Sequence, residues 1–396
     1  MRPKLITPQK IILALLALTT FVSLVVWLQG GGTLSFIDAV PSTAGKLVYV
    51  SDTPTGSDIV IADGTAGHSA LLTATGAHAD GEPAWARGGD KLALTSNRNG
   101  AVRQLYLAPA KPGAAVTVLT NSSSTKEAPQ FDHDGNVFFL DGGRVSKLAP
   151  NSADMDAVFP TAEQKRASSV LADLFASGGV TGYAVSPDGS RVFVAAKQEN
   201  GEALLMYDHD GTVAAFGAAQ KIGIRSLGDK GFAVFFASGQ PLPTPVVIVS
   251  AETKAAPVDA DADAARLANL KILLARPSDA NLLVQISPDL TVKSLTTTPF
   301  VPTGFAVSSD GTSACLTTDD EKYKGVFILP PAGGNPPSLS RVSASEPSFS
   351  PDGTKVAFVS GGDIFVAGTG GGAAPVNLTN GKGKNHTPVW SPAVGK

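Results

Sequence analysis

Short runs of alternating apolar and polar residues, separated by turn residues, fill the chain from residue 46 to residue 392. The clearest run is EPSFSPDGTKVAFVS, Glu346 to Ser360, in which a strand, a Ser-Pro-Asp-Gly turn and a more apolar strand follow one another. Proline fixes φ in such a turn and glycine adopts positive φ, so the phrase predicts a β-hairpin. Related phrases begin at Glu82, Ala128, Gly182, Gly223 and Gly304.

Most copies of this hairpin are followed by a third alternating strand, as in Gln104 to Leu107 and Asp363 to Val366, and by a short fourth strand that often ends on Leu-Thr. Four antiparallel strands therefore form one repeated module. The residue before the turn recurs at intervals of about 41 to 54 residues, with one interval of about 80. The wide interval predicts a degenerate module near residue 268, built from segments 270–274, 281–285 and 292–296. The interval of 54 holds a predicted helical insertion near 161–176.

The two ends of the repeat region complement each other. Residues 386–392 form a first strand, whereas the segment from Lys46 begins with a second strand. Together they make one composite module, as in a closed propeller that leaves few free sheet edges. Counting this module, the sequence predicts an all-β propeller of eight four-stranded blades over 46–392, or seven if the degenerate module is not a blade.

The Pro-x-Phe/Trp-Ser-Pro-Asp-Gly, Val-Ala-Phe-x-Ser and Leu-Thr pattern resembles the TolB-like β-propeller repeats, which are related to WD repeats. The resemblance covers residues 46 to 392 and is strongest near 346–392 and 82–120. It implies the propeller fold. Propellers of this type occur as periplasmic interaction modules, as gating domains of serine peptidases and occasionally as lyases, so the resemblance leaves the function open.

The N-terminus has the pattern of a membrane segment. Arg2, Lys4 and Lys10 precede an uncharged stretch, residues 11–28, which is long enough as a helix to cross a bilayer. We expect residues 1–10 to be a cytoplasmic stub, 11–28 a single-pass anchor and 29–45 a linker, with the propeller outside the cytoplasm, in the periplasm or at the cell surface. If 11–28 is instead a cleaved signal segment, the propeller is secreted.

Composition and motifs argue against several classes of function. The net charge is −3 and no long basic cluster follows the N-terminus, so a nucleic-acid partner is not expected. The single cysteine, Cys315, rules out an intramolecular disulfide, and no Gly-x-Ser-x-Gly peptidase motif is present. The five histidines form no His-x-x-x-His pair, and the two DHDG segments at Asp132 and Asp208 lack the frame of a calcium loop, so we interpret them as turns.

Two sets of residues recur at equivalent positions of the modules. The first is a set of acids before the first strands, which either cap and solvate the strand ends or form a contact ring for a partner near a central channel: Glu82, Glu127 and Glu346. The second is a set of aromatic residues late in the first strands, which we expect to pack adjacent blades together: Trp85, Phe131, Phe349 and Trp390.

These patterns predict a membrane-anchored, non-catalytic scaffold that binds a protein or peptide partner at the cell envelope. No catalytic residue, metal site or cofactor is predicted. The alternative is a carbohydrate-binding or carbohydrate-active propeller, similar to a lyase, that uses the mouth of the channel.

Overall fold

The computed structural model describes residues 45–73, 77–249, 278, 280–329, 338–381 and 384–392. These residues form antiparallel β-sheets, most of them four-stranded. The expected cytoplasmic stub, the apolar segment 11–28 and most of the linker lie outside the described residues. In the part of the chain that is described, no helix has the length and apolar character needed to cross a membrane.

Five sheets have four strands each, and we number all sheets in chain order. Sheet I contains β27 (Lys384–Trp390), β1 (Leu47–Thr53), β2 (Gly56–Ala62) and β3 (Ser69–Leu71). Sheet II contains β4 (Asp80–Trp85), β5 (Lys91–Ser96), β6 (Gln104–Pro109) and β7 (Thr117–Val118). Sheet III contains β8 (Lys126–Phe131), β9 (Val137–Asp141), β10 (Val145–Leu148) and β11 (Met155–Phe159). Sheet V contains β19 (Gly304–Val307), β20 (Ala314–Thr318), β21 (Gly325–Leu329) and β22 (Ser338–Ser340). Sheet VI contains β23 (Ser345–Phe349), β24 (Lys355–Ser360), β25 (Asp363–Gly368) and β26 (Val376–Asn377).

Sheet IV has seven strands because two modules share one long strand. Its strands are β12 (Val180–Val185), β13 (Arg191–Gln198), β14 (Gly201–Asp208), β15 (Val213–Ser226), β16 (Phe232–Val249), β17 (Asn281–Ile286) and β18 (Val292–Thr298). The first half of β15 is the fourth strand of one module, and its second half pairs with the start of β16 as the first strand of the next. The end of β16 pairs back onto Val213 to Ala215.

This arrangement corrects the expected assignment of the wide interval. The segments 281–285 and 292–296, which we assigned to a separate module near 268, lie in β17 and β18 and complete the module that begins in β15. Residues 270–274 lie outside the described part of the chain. Counting both modules of sheet IV, the described residues contain seven four-stranded modules.

The turns between first and second strands are held by serine and aspartate side chains. In one copy, Ser350 Oγ donates to Asp352 Oδ1 (2.6 Å), which also accepts the N–H of Thr354 (3.0 Å), and Gly353 has φ +70°. The copy at Ser308 and Asp310 repeats these contacts. Hydrogen bonds from Ser308, the largest contributor, and from Thr312 lower the pKa of Asp310 to about 2. The Ser-Pro-Asp-Gly motif is thus explained by turn geometry alone.

The Leu-Thr motif also has a structural role. In three sheets, the threonine after the fourth strand accepts a hydrogen bond from a backbone N–H of the third strand. The pairs are Thr73 with Ile59 (2.9 Å), Thr120 with Leu105 (2.9 Å) and Thr379 with Ile364 (3.1 Å). The hydroxyl therefore replaces a ladder partner where the short fourth strand has ended.

The first strands of successive modules contact one another. β27 contacts β4, β4 contacts β8, β8 contacts β12 and β12 contacts β15. The series continues from β15 to β19, from β19 to β23, and from β23 to β27. Apolar clusters fill the spaces between adjacent sheets, as between III and IV and between V and VI.

The predicted insertion at 161–176 contains two short helices, α1 (Ala162–Ala167) and α2 (Ser169–Leu174). A capping box between Thr161 and Gln164 starts α1. In α2, Val170, Leu171 and Leu174 are buried and join the apolar cluster between sheets III and IV.

Candidate functional site

Four of the first strands share a backbone irregularity at the residue before proline. Glu82, Ala128, Glu346 and Thr387 have φ between 49° and 52°, a left-handed conformation that is uncommon for residues other than glycine. The pairing register shifts at each of these positions, in β4, β8, β23 and β27. Each of these strands therefore carries a β-bulge, which redirects the side chain at that point.

The carboxylates of the two glutamates at these bulges bind the bulge of the next sheet. Glu82 Oε2 accepts a hydrogen bond from the N–H of Ala128 (3.2 Å) and one from the Thr95 hydroxyl (3.1 Å). Glu346 Oε2 likewise accepts the N–H of Thr387. A backbone donor that the bulge removes from the strand ladder is thereby satisfied.

The expected equivalence of the three acids holds for two of them. Glu82 and Glu346 occupy equivalent positions, but Glu127 lies one residue earlier in its strand, and Ala128 takes the equivalent place. Glu127 is exposed. The three acids therefore do not recur at one position, because the spacing to the following proline differs by one residue.

The four aromatic residues lie two positions after these prolines. Phe349 packs in the cluster between sheets V and VI, Trp390 in the cluster between sheets VI and I, and Phe131 against the cluster between sheets II and III. Trp85 donates its indole N–H to the carbonyl oxygen of Val389 (3.0 Å) and so links sheet II to sheet I. All four contribute to contacts between sheets.

A cavity of about 360 Å³ lies among the first strands. It is lined by residues of β15, β19, β23 and β27 and by Thr303. Its polar side chains come from Arg225, Ser226, Thr303, Glu346, Ser348 and Thr387. Of the predicted site residues, Glu346 and Phe349 line this cavity, whereas Glu82, Glu127, Trp85, Phe131 and Trp390 do not.

Arg225 is the cation of this cavity. Its guanidinium carbon lies 5.3 Å from the centre of the Phe305 ring, and Nη1 donates to the carbonyl oxygen of Ile224 (2.9 Å). The side chain reaches solvent, but the surrounding protein lowers its pKa from the ordinary value. Within the described ranges, no carboxylate lies within 4.0 Å of it.

Arg225 was missed by the sequence reasoning, although the sequence contains a signal. In the faint copy that begins at Gly223, it stands where other copies have proline, tyrosine or phenylalanine: Pro83, Pro129, Tyr183, Phe305, Pro347 and Pro388. A charged residue at an otherwise apolar repeat position indicates a role other than packing.

Both DHDG segments are turns in the structure. Asp132 accepts the backbone N–H groups of Asp134 (3.0 Å) and Asn136 (2.9 Å), and Asp210 accepts that of Thr212 (2.7 Å). Hydrogen bonds from Thr212 lower the pKa of Asp210. No three His, Cys, Asp or Glu side chains of the described residues are grouped so that they could hold a metal ion.

No protein-family model matches the chain, and no curated protein matches its sequence. A solved structure with the same fold is TolB of Acinetobacter baumannii, with 17% identity and a TM-score of 0.50 over 89% of this chain and 68% of that one. The predicted TolB-like β-propeller fold is confirmed.

Two further solved structures are similar to this chain over almost their full length. A functionally unknown protein of Desulfotomaculum acetoxidans is 10% identical, with a TM-score of 0.51 over 87% of this chain and 99% of that one. The periplasmic gluconolactonase of Pseudomonas aeruginosa is 15% identical, with a TM-score of 0.51 over 88% of this chain and 99% of that one.

The gluconolactonase corrects one prediction. We expected a chain without catalytic activity, mainly because hydrolase and metal motifs are missing from the sequence. That prediction is wrong, because neither the missing motifs nor this fold excludes catalysis. An enzyme shares this fold, and the likeness at 15% identity concerns the fold alone. The fold therefore gives no ground for excluding catalysis.

Proposed function

We propose that the seven modules close into a ring outside the cytoplasm and that the cavity among the first strands binds a peptide or protein partner at the cell envelope. Closure is supported by the pairing of β1 with β27, from Leu47 opposite Trp390 to Asp52 opposite Lys384. It is also supported by the unbroken series of contacts between first strands. In this proposal residues 11–28 anchor the chain in the membrane, or are cleaved to release it.

The observation that carries the proposal is the cavity itself. Side chains from four successive modules converge there, and a cation, a carboxylate and several hydroxyls stand among apolar residues. A concave site with a few convergent polar groups is the usual form of a ligand site. Protein or peptide partners suit it because its polar groups can bind peptide carbonyl, N–H and terminal groups.

A cavity-filling substitution tests this function. Ser226 is exposed and lines the cavity, so Ser226→Trp should fill it without removing a charge. Val118, on the outer strand of sheet II, is also exposed, and Val118→Trp is the control. We expect the full-length chain and the control to retain the same specific protein or peptide from envelope membranes, identified by mass spectrometry, and Ser226→Trp to lose it. Equal retention by all three, or no specific partner for any, contradicts the proposal.

A carbohydrate ligand or substrate is the second candidate for the same cavity. Two observations favour it: the fold is shared with a gluconolactonase, and the Glu346 carboxylate is exposed in the cavity. Acid release from glucono-δ-lactone, measured above the spontaneous rate, tests this candidate. Activity that Glu346→Gln reduces supports it, whereas a rate equal to the spontaneous one contradicts it for this substrate.

A further inference from the structure

Resting on the proposed cavity site, we propose that the ligand is a short peptide with free termini. In this arrangement Arg225 binds the α-carboxylate and Glu346 binds the α-ammonium group. The two residues line one cavity from different modules, β15 and β23, and form no ion pair with each other. Each charge is thus left to interact with a ligand.

Arg225 is equipped to bind a carboxylate. Arginine has five N–H donors in a planar fork that matches the two oxygens of a carboxylate. One hydrogen bond, to the Ile224 carbonyl, is made by this guanidinium within the described residues. The ring of Phe305 packs against the guanidinium and helps to fix its orientation. The described residues supply no carboxylate within 4.0 Å of this charge, and an anionic ligand would neutralise it.

Glu346 has capacity for a cation. One of its oxygens, Oε2, accepts the N–H of Thr387, and this bond holds the carboxylate at the bulge. The residue is exposed, and its side chain is in no ion pair within the described ranges. The second oxygen therefore remains open to a donor from the ligand.

The pair of charges distinguishes a peptide from an acidic sugar. A uronate carries a carboxylate that Arg225 could bind, but it has no cation for Glu346. A zwitterion offers a partner of opposite charge to both groups and makes no repulsive contact with either. The volume of about 360 Å³ lies near the lower end of the roughly 300–1,000 Å³ of small-molecule sites, which favours two or three residues over a longer segment.

Calorimetric titration of the full-length chain in detergent tests the inference with four probes: trialanine, its C-terminal amide, its N-acetyl form and digalacturonate. We expect trialanine to bind, and the amide and the N-acetyl form each to bind at least about tenfold more weakly, since each loses one charge-assisted contact. Arg225→Gln should abolish the preference for the free acid, and Arg225→Lys should restore part of it. Glu346→Gln should remove the preference for the free amine.

Two matched controls keep the outcome specific. Arg87→Gln changes an exposed arginine after β4, and Glu127→Gln changes the glutamate that does not line the cavity; both should bind like the wild type. Circular dichroism checks that every variant is folded. Tight binding of digalacturonate, or equal affinity for trialanine and its blocked forms, overturns the inference. If no probe binds but the Ser226→Trp variant loses a retained partner, the peptide-terminus inference falls while the binding function stands.

Discussion

The buried ion pair of Lys126 and Asp141 offers a quantitative test of how sheet III is held together. Lys126 has an exposed fraction of 0%, and its ammonium donates to Asp141 Oδ1 (2.8 Å) and to the hydroxyls of Ser122 and Ser124 (both 2.7 Å). Asp141 is 5% exposed and also accepts hydrogen bonds from Ser124 (2.6 Å) and Arg144 (3.1 Å). The two partners are therefore compensated unequally.

This unequal compensation determines how much stability each substitution costs. Removing one partner of a buried pair costs about 3–5 kcal/mol because an uncompensated charge remains. Lys126→Met leaves Asp141 bonded to Arg144, so we expect the free energy of unfolding to fall by about 3 kcal/mol. Asp141→Asn leaves the Lys126 ammonium without an anion, so we expect the free energy of unfolding to fall by about 4–5 kcal/mol. The double variant should lose less than the sum of the two, because the pair is coupled.

The pair also predicts a dependence on pH. Burial acts to raise the pKa of Asp141, but hydrogen bonds from Lys126, Ser124 and Arg144 outweigh it, and the pKa falls below its ordinary value of 3.8. A group whose pKa is lower in the folded state stabilises the fold above its unfolded-state pKa and loses that contribution as pH falls through the folded-state pKa. The gap between wild type and Lys126→Met should thus narrow below about pH 4.

Urea unfolding, followed by circular dichroism at pH 7 and at pH 3, measures these differences. Lys293→Met, an exposed lysine in β18, is the control and should change stability by less than about 0.5 kcal/mol. Losses under about 1 kcal/mol for both partner variants, or a larger loss for Lys126→Met than for Asp141→Asn, would refute the reasoning.

Three further outcomes follow from single contacts. Thr379→Val should lower the free energy of unfolding by about 1–3 kcal/mol, because the N–H of Ile364 loses its acceptor. Thr379→Ser keeps the hydroxyl and should retain most of the wild-type stability, and urea unfolding distinguishes the two variants. Asp310→Asn should destabilise the protein at pH 7 and progressively less as pH falls from about 4 towards 2, since Ser308 and other donors lower the pKa of Asp310 to about 2; equal losses at pH 7 and pH 2 contradict this. Cys315 should resist iodoacetamide until the chain unfolds, because it is fully buried and burial raises the pKa of its thiol, and rapid labelling of the native protein at pH 8 would show otherwise.

The repeated parts of the fold could be predicted because local sequence determines them. Ser350 to Gly353 forms a turn through contacts among its own side chains, and Thr379 acts on a strand 15 residues earlier. The two chain ends could be joined because each lacked the strands that the other supplied. These features need only the alternation of apolar residues, turn chemistry and the repeat length.

The wide interval was misassigned because strand pairing is not local. Val246 to Val249 alternates like a third strand, but it pairs with Val213 to Ala215 at the edge of the previous module. The pattern identifies a strand without identifying its partner. The third strand of the module that begins in β15 is therefore β17. The long strand β15 passes from one module to the next without a turn. Gly217 and Gly223, which would ordinarily suggest turns, lie inside this strand.

The cavity depends on a register that composition does not reveal. Glu127 and Glu346 both precede a first-strand proline, yet the bulge falls at the residue directly before the proline, so Glu346 lies at the bulge and Glu127 does not. Arg225 lies in the copy that resembles the motif least, and the substitution of arginine for an apolar residue is part of what makes that copy faint. Departure from a repeat is therefore informative. A module that keeps its strands but has a cation in place of a packing residue retains the backbone of the fold and changes the chemistry of the cavity that this residue lines. The same argument predicts that Arg225→Tyr, which introduces the residue found at the equivalent Tyr183, would remove anion binding while leaving β15 paired with β16.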